Sequence, residues 1–221
     1  EDFPLRAARY AVAISWDKGG VPVDVDLQGV IVDDRGAIID AVYYNNLKAC
    51  RCVTHSGDEM TGDKAGHDEV IWVGLNKLPA NVAMIIFVIA AHSGGHLRDV
   101  RNGLIHLLEE RKDNEVLRFQ MENSIEEVDM VAAFIRCGND GWYCRVIDEP
   151  AQDGQHFIDI LEPSIGNFIR KVIPGAPRRQ KVAFAMEKGA VFDLPQSNGF
   201  GTMSACLGWD VMGDGVDLDV S

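Results

Sequence analysis

At 221 residues, 24.3 kDa and 47% hydrophobic, the chain is long enough to bury a substantial core as one large or two small domains. Its 21 Lys+Arg stand against 34 Asp+Glu, a formal net charge of −13. That balance argues against nucleic acid as a partner, because a phosphate backbone needs a basic face, and it suits solubility and the binding of cations. The longest apolar run, Val82 to Ala91, is ten residues, whereas a membrane-spanning helix needs about 20. No signal-peptide pattern is present, and five cysteines scattered through a chain of this size are not a secreted disulfide scaffold. The expectation is no membrane span and a cytoplasmic, reducing setting.

In chain order, residues 8–16 alternate with Tyr10, Val12, Ile14 and Trp16 in phase, which predicts a half-buried strand. After the Asp17-Lys18-Gly19-Gly20 turn, residues 23–32 resume the period of two and end at Asp33-Asp34-Arg35-Gly36; residues 38–44 make a further strand. Residues 70–75 follow an acidic loop, and residues 82–91 read as a strand buried on both faces. Residues 104–108 are a shorter strand. Residues 116–121 and 142–147 look like a late pair, and residues 124–136 fit either a helix capped by Ser124 or another strand. The spacing of strands and turns predicts a mainly β fold, an antiparallel β-sandwich with a few short helices.

From Pro150 the texture changes. Phe157, Ile160, Leu161, Ile165, Phe168, Ile169 and Val172 recur at helical spacing, interrupted by Pro163, and residues 174–179 read as a linker. Residues 182–195 predict a new hairpin turning at Lys188-Gly189. An internal repeat is the strongest organisational signal. Ser15-Trp16-Asp17 precedes Asp24-Val25-Asp26, and Gly208-Trp209-Asp210 precedes Asp217-Leu218-Asp219, with six residues between Trp-Asp and D-x-D in both copies. The expected organisation is one full unit over 1–150, an amphipathic segment and linker over 151–181, and the beginning of a second unit over 182–221.

The chemistry gathers in two places. Asp24 and Asp26 alternate on a strand, so both carboxylates fall on one face roughly 7 Å apart along the backbone, where they repel unless a cation lies between them. The loop 54–69 adds Asp58, Glu59, Asp63, Asp68 and Glu69, with Gly57, Gly62 and Gly66 allowing the backbone to bend carbonyls inward. Six to eight hard oxygens in flexible geometry suit calcium, and the spacing is not that of an EF-hand. Three further readings stand beside this one. Cys50, Cys52, His55 and His67 form a loose zinc-like set. His92-Ser93-Gly94-Gly95-His96 has nucleophile and base residue types without an acidic orienter. An accessory or scaffold role would dock other protein subunits through residues 155–173 and 182–221, with any metal merely structural.

Ser-Trp-Asp followed by D-x-D, then Tyr43-Tyr44-Asn45-Asn46-Leu47-Lys48, Val53-Thr54-His55-Ser56-Gly57-Asp58, Thr61-Gly62-Asp63 and His67-Asp68-Glu69, resembles the TerD family of tellurium-resistance and stress-response proteins over about residues 8–147. The resemblance implies a calcium-binding β-sandwich without known catalysis, often found as tandem or multi-gene modules. It carries the family's ligands over to Asp24, Asp26, Asp58, Asp63, Asp68 and Glu69, for one or two calcium ions, with Asn45 and Asn46 as nearby support. Leu27-Gln28-Gly29 after the D-x-D, Glu59, Lys64 and His67 depart from the family pattern. Lys64 and His67, inside the acidic cluster, bear on whether one ion or two can bind.

Overall fold

The computed structural model describes residues 2–17, 22–60, 66–110, 114–138 and 141–178. The predicted hairpin over 182–195, the second repeat and Asp63 lie outside the described residues. Among those described, twelve strands form two six-stranded antiparallel sheets. Sheet A carries, in spatial order, β1 (Asp2–Leu5), β12 (Trp142–Val146), β11 (Val128–Arg136), β8 (Val82–Ser93), β3 (Asp24–Asp33) and β4 (Ile38–Val42). Sheet B carries β10 (Asn114–Gln120), β9 (Arg101–Glu109), β2 (Arg9–Asp17), β7 (Glu69–Gly74), β6 (Val53–His55) and β5 (Lys48–Ala49). The sandwich expected from the alternating pattern is therefore present. Residues 128–136 are strand rather than helix, and the two strands anticipated as a late pair lie in different sheets, β10 on β9 and β12 between β1 and β11. Alternation fixes which residues face the core; it does not say which strand pairs with which.

The apolar run of β8 follows from the layering. Ile85, Phe87, Ile89 and Ala91 point between the sheets, where they meet Val12, Ile14, Leu27 and Ile71. Met84, Ile86, Val88 and Ala90 point to the opposite side of sheet A and are just as completely buried, because residues 157–176 lie over that side. A helical turn (Phe157–Ile160) and α1 (Gly166–Val172) bring Phe157, Ile160, Ile165, Phe168 and Ile169 onto it. The amphipathic stripe read from the sequence thus packs on its own sheet. Gln28, fully buried on β3, anchors the segment by accepting the Phe157 N–H at 2.8 Å. Among the described residues, no helix is long and apolar enough to cross a membrane.

Candidate metal centre

The acidic residues are placed by the ends of three strands. β3 begins at Asp24, β8 ends at Ser93, and the loop from β6 to β7 passes beside them. Pairing of β3 with β8 slips by one residue between Asp24 and Val25, so Asp24 sits opposite Ser93 while Val25 sits opposite Ala91, with His92 as the extra residue. Such a bulge re-aims side chains at a sheet edge. Asp24 and Asp26 remain in phase with Gln28, away from Val25 and Leu27, which enter the core between the sheets.

Asp24, Asp26 and Asp58 converge. Each offers a carboxylate oxygen, and the three oxygens lie within 4.8 Å of one another. Asp24 and Asp26 are only 7% and 2% exposed. Oδ1 of Asp24 is buried without a hydrogen-bond partner. Burial first, then the negative charge of Asp58, pushes the Asp24 carboxyl above its ordinary value; His92, with Nδ1 3.9 Å away, and a hydrogen bond from Ser93 act in the opposite direction. The site holds negative charge under protest, which is the electrostatic condition a bound cation relieves.

Asp68 and Glu69 serve the same region with other contacts. Asp68 Oδ2 accepts the Trp16 N–H at 2.9 Å, and its own N–H donates to the Ile14 carbonyl, so the end of the loop is tied to β2. β4 pairs with β3 only from Gly29 onward, so Leu27, which pairs with Ile89 of β8 on one side, has no strand beside it on the other. Glu69 Oε2 accepts the Leu27 N–H at 2.7 Å, and Nε2 of His55 lies 2.9 Å from the Leu27 carbonyl. Gly57 N–H donates to His55 Nδ1, which makes Nε2 the protonated nitrogen and the donor to Leu27. Glu69 Oε1 also accepts the N–H of Glu59 at 3.2 Å. Buried and hydrogen-bonded, Glu69 thus holds the acidic loop against β3. At the loop base, Ser56 and Val70 exchange two hydrogen bonds of 2.8 and 2.9 Å.

The rival clusters read differently. Cys50 bonds Asp40, its thiol pushed up to about 11 by burial first and the Asp40 charge next, which disfavours the thiolate a zinc site requires. Both ring nitrogens of His55 are engaged, and His67 lies against His106 instead. His92 and Ser93 both face Asp24, while His96 Nδ1 is 2.6 Å from Glu127. Asn46 closes the Tyr43–Asn46 turn and donates from Nδ2 to the Ala41 carbonyl at 2.6 Å. The contribution of His92 and Ser93 to the surroundings of Asp24 was not legible, because strand alternation alone gives no sign of a bulge.

A family model described as "TerD domain" matches residues 5–158. The chain belongs to the TerD family. Tellurium resistance protein TerZ of Serratia marcescens is 32% identical over 125 residues, 56% of this chain and 64% of that protein, so the match spans less than two thirds of the relative. Tellurium resistance protein TerD of an Alcaligenes species is 30% identical over 148 residues, 62% of this chain and 77% of the relative. General stress protein 16U of Bacillus subtilis (strain 168) is 28% identical over 160 residues, 66% of this chain and 83% of the relative. The crystal structure of a homologue of telluride resistance protein TerD from Streptomyces coelicolor A3(2) superposes with a TM-score of 0.60 at 21% identity, covering 69% of this chain and 94% of that one. That likeness shows a shared sandwich fold. The TerD match takes in both sheets apart from the first three residues of β1 and stops at residue 158, where the covering segment begins.

Proposed function

We propose that the chain is a non-enzymatic calcium-binding module of the tellurium-resistance and stress-response type. The observation that carries this reading is the convergence of Asp24, Asp26 and Asp58, whose oxygens lie within 4.8 Å of one another. Ligands about 2.3–2.6 Å from one calcium stand no farther apart than roughly 5 Å, so the three oxygens fit a single ion. The donors are hard carboxylates, two of them buried, and Asp24 has an oxygen lacking any hydrogen bond. Asp24, Asp26 and Asp58 would hold the ion, with Asp63 as a further candidate from the same loop. Asp68 and Glu69 would position the loop, and His92 and Ser93 would orient Asp24. A bound calcium would neutralise charge that burial disfavours, and through Asp58, Asp24 and Asp26 it would reinforce the hold of the acidic loop on β3 that Glu69 already provides.

The names of the relatives support a role for this module in tellurium resistance and general stress response. The non-enzymatic reading is supported by His92 and Ser93, the side chains of which both face the Asp24 carboxylate. Thermal melts of the full chain in calcium and in chelator test the proposal. Calcium at a hundredfold excess over its dissociation constant should add about 2.7 kcal/mol of stability. Identical melts with and without millimolar calcium would refute it.

A further inference from the structure

The sequence sets His67 beside Cys50, Cys52 and His55, but the fold carries it to a different neighbour. β9 sends Ile105 and Leu107 between the sheets and turns His106 to the opposite side, where it faces Ala13 of β2. That side of sheet B is built from small side chains, Ala11 and Ala13, with Leu108, Val70 and Trp72 around them. His106 is 5% exposed there, a position an imidazole occupies at little cost only when its nitrogens are partnered. Nε2 lies 2.8 Å from Ser15 Oγ, and Nδ1 meets the carboxylate of Glu115 on β10. The ring of His67 stands 4.6 Å from that of His106, inclined at 72°. His67, His106 and Glu115 each present one donor atom, and the three atoms lie within 4.8 Å of one another.

We propose that His67, His106 and Glu115 form a transition-metal site of the Zn2+ class, separate from the calcium carboxylates. Two imidazoles and one carboxylate are the donor set of a borderline ion, whereas calcium prefers oxygen throughout. Small side-chain rotations bring all three donors onto one centre, and the ion takes the position between His106 Nδ1 and Glu115 that the hydrogen bond now fills. The Nδ1 proton is released to solvent as the ion binds, and the neutral His106 carries its remaining proton on Nε2 and donates it to Ser15 Oγ, the outer contact that fixes the tautomer and orientation of a metal-bound histidine. Glu115 is already predisposed to be anionic: the hydrogen bond with His106 lowers its carboxyl most, desolvation comes next and opposes it, and the charges of His106, Arg118 and His67 lower it further. Three protein ligands leave one position of a tetrahedron open to water or a small external ligand. The site shares the end of the acidic loop with the calcium cluster, since His67 precedes Asp68 directly, but it shares no ligand with it.

The test uses the full chain, stripped of metal and then saturated with calcium, titrated with Zn2+ by calorimetry and with Co2+ by absorption spectroscopy. The expected result is one high-affinity zinc per chain and tetrahedral cobalt bands without thiolate charge transfer. His67→Ala and Glu115→Gln alter residues that are not deeply buried, and each should weaken zinc by at least the roughly 10–100-fold that even loss of an outer contact causes. Ser15→Ala should weaken it by about 10-fold. Asp24→Asn should leave zinc affinity unchanged, which separates this site from the carboxylate cluster. The proposal is overturned by an absence of zinc binding, by a thiolate band that places the ion on cysteines, or by loss of zinc with Asp24→Asn. Unchanged affinity in folded His67→Ala and Glu115→Gln overturns it equally.

Discussion

The N–H of Leu27 on β3 donates to Oε2 of Glu69 on β7 at 2.7 Å, so a buried carboxylate joins sheet A to sheet B. This contact begins where β4 stops and completes a strand edge that would otherwise bury an unsatisfied donor. His55 Nε2 lies 3.3 Å from the same oxygen and serves the Leu27 carbonyl.

Glu69→Leu should therefore destabilise the fold by about 1–3 kcal/mol, the usual cost of leaving a buried donor unmade. Glu69→Gln keeps an acceptor in place and should cost less. Urea midpoints in the absence of calcium measure both. Equal midpoints for wild type and Glu69→Leu would show that the Leu27 contact contributes nothing.

Asp24 carries a stability prediction whose sign depends on the ion. Its folded carboxyl is raised above its ordinary value by burial and by Asp58. In the metal-free chain its contribution is therefore full at acid pH, below the unfolded value, and is lost as pH rises through the raised folded value. Asp24→Asn should raise the neutral-pH melting temperature in chelator and lower it in saturating calcium. A variant less stable than wild type under both conditions would contradict this account.

Asp129 on β11 makes a second, independent pH prediction. It is 7% exposed, one of its oxygens is buried without a hydrogen-bond partner, and burial first, then Glu122 and Asp148, pushes its carboxyl up to about 7. The neutral form favours folding, so stability should fall as pH rises from about 4 toward 7 and level off above. Asp129→Asn should flatten that part of the profile and melt higher than wild type above neutrality. Melting curves of both proteins across the interval check it.

Gly94 closes the turn after β8 next to the first residues of β3. Its φ is +84°, and an added Cβ would stand 2.1 Å from the Pro22 carbonyl oxygen, so both the conformation and the space demand glycine. Gly94→Ala should cost about 1–3 kcal/mol and weaken calcium binding by displacing Asp24. Circular dichroism melts read the first effect and calcium titration the second.

Much of this was legible from residue order. The strand and turn signals marked eight of the twelve strands in outline and left β11 open between helix and strand, while the uniformly apolar 82–91 announced a strand covered on both faces. Asp24, Asp26 and Asp58, which the fold brings together, could be named as candidate ligands because their carboxylates fall at strand spacing and in a glycine-bearing loop. β1, β5 and β6 were too short to show a period. Three other features depend on contacts between distant segments. The stripe from Phe157 to Ile169 looked like a docking surface because a sequence shows that a face is apolar, not what covers it. Asp68 and Glu69 were expected as ligands, and the contacts they make with the N–H groups of Trp16 and Leu27 were not foreseen, because those residues lie far back along the chain. His67 found His106 for the same reason: β9 and the acidic loop meet only once β2 and β7 have paired.

The central claim is that Asp24, Asp26 and Asp58 together hold calcium. Its most direct test is a calorimetric calcium titration of the metal-free full chain beside Asp26→Asn, with magnesium as the competing ion. Saturable binding below millimolar calcium, resistant to magnesium, is expected in the wild type and should be lost in a folded Asp26→Asn. Wild-type and Asp26→Asn isotherms that coincide, or no heat of binding in either, would contradict it.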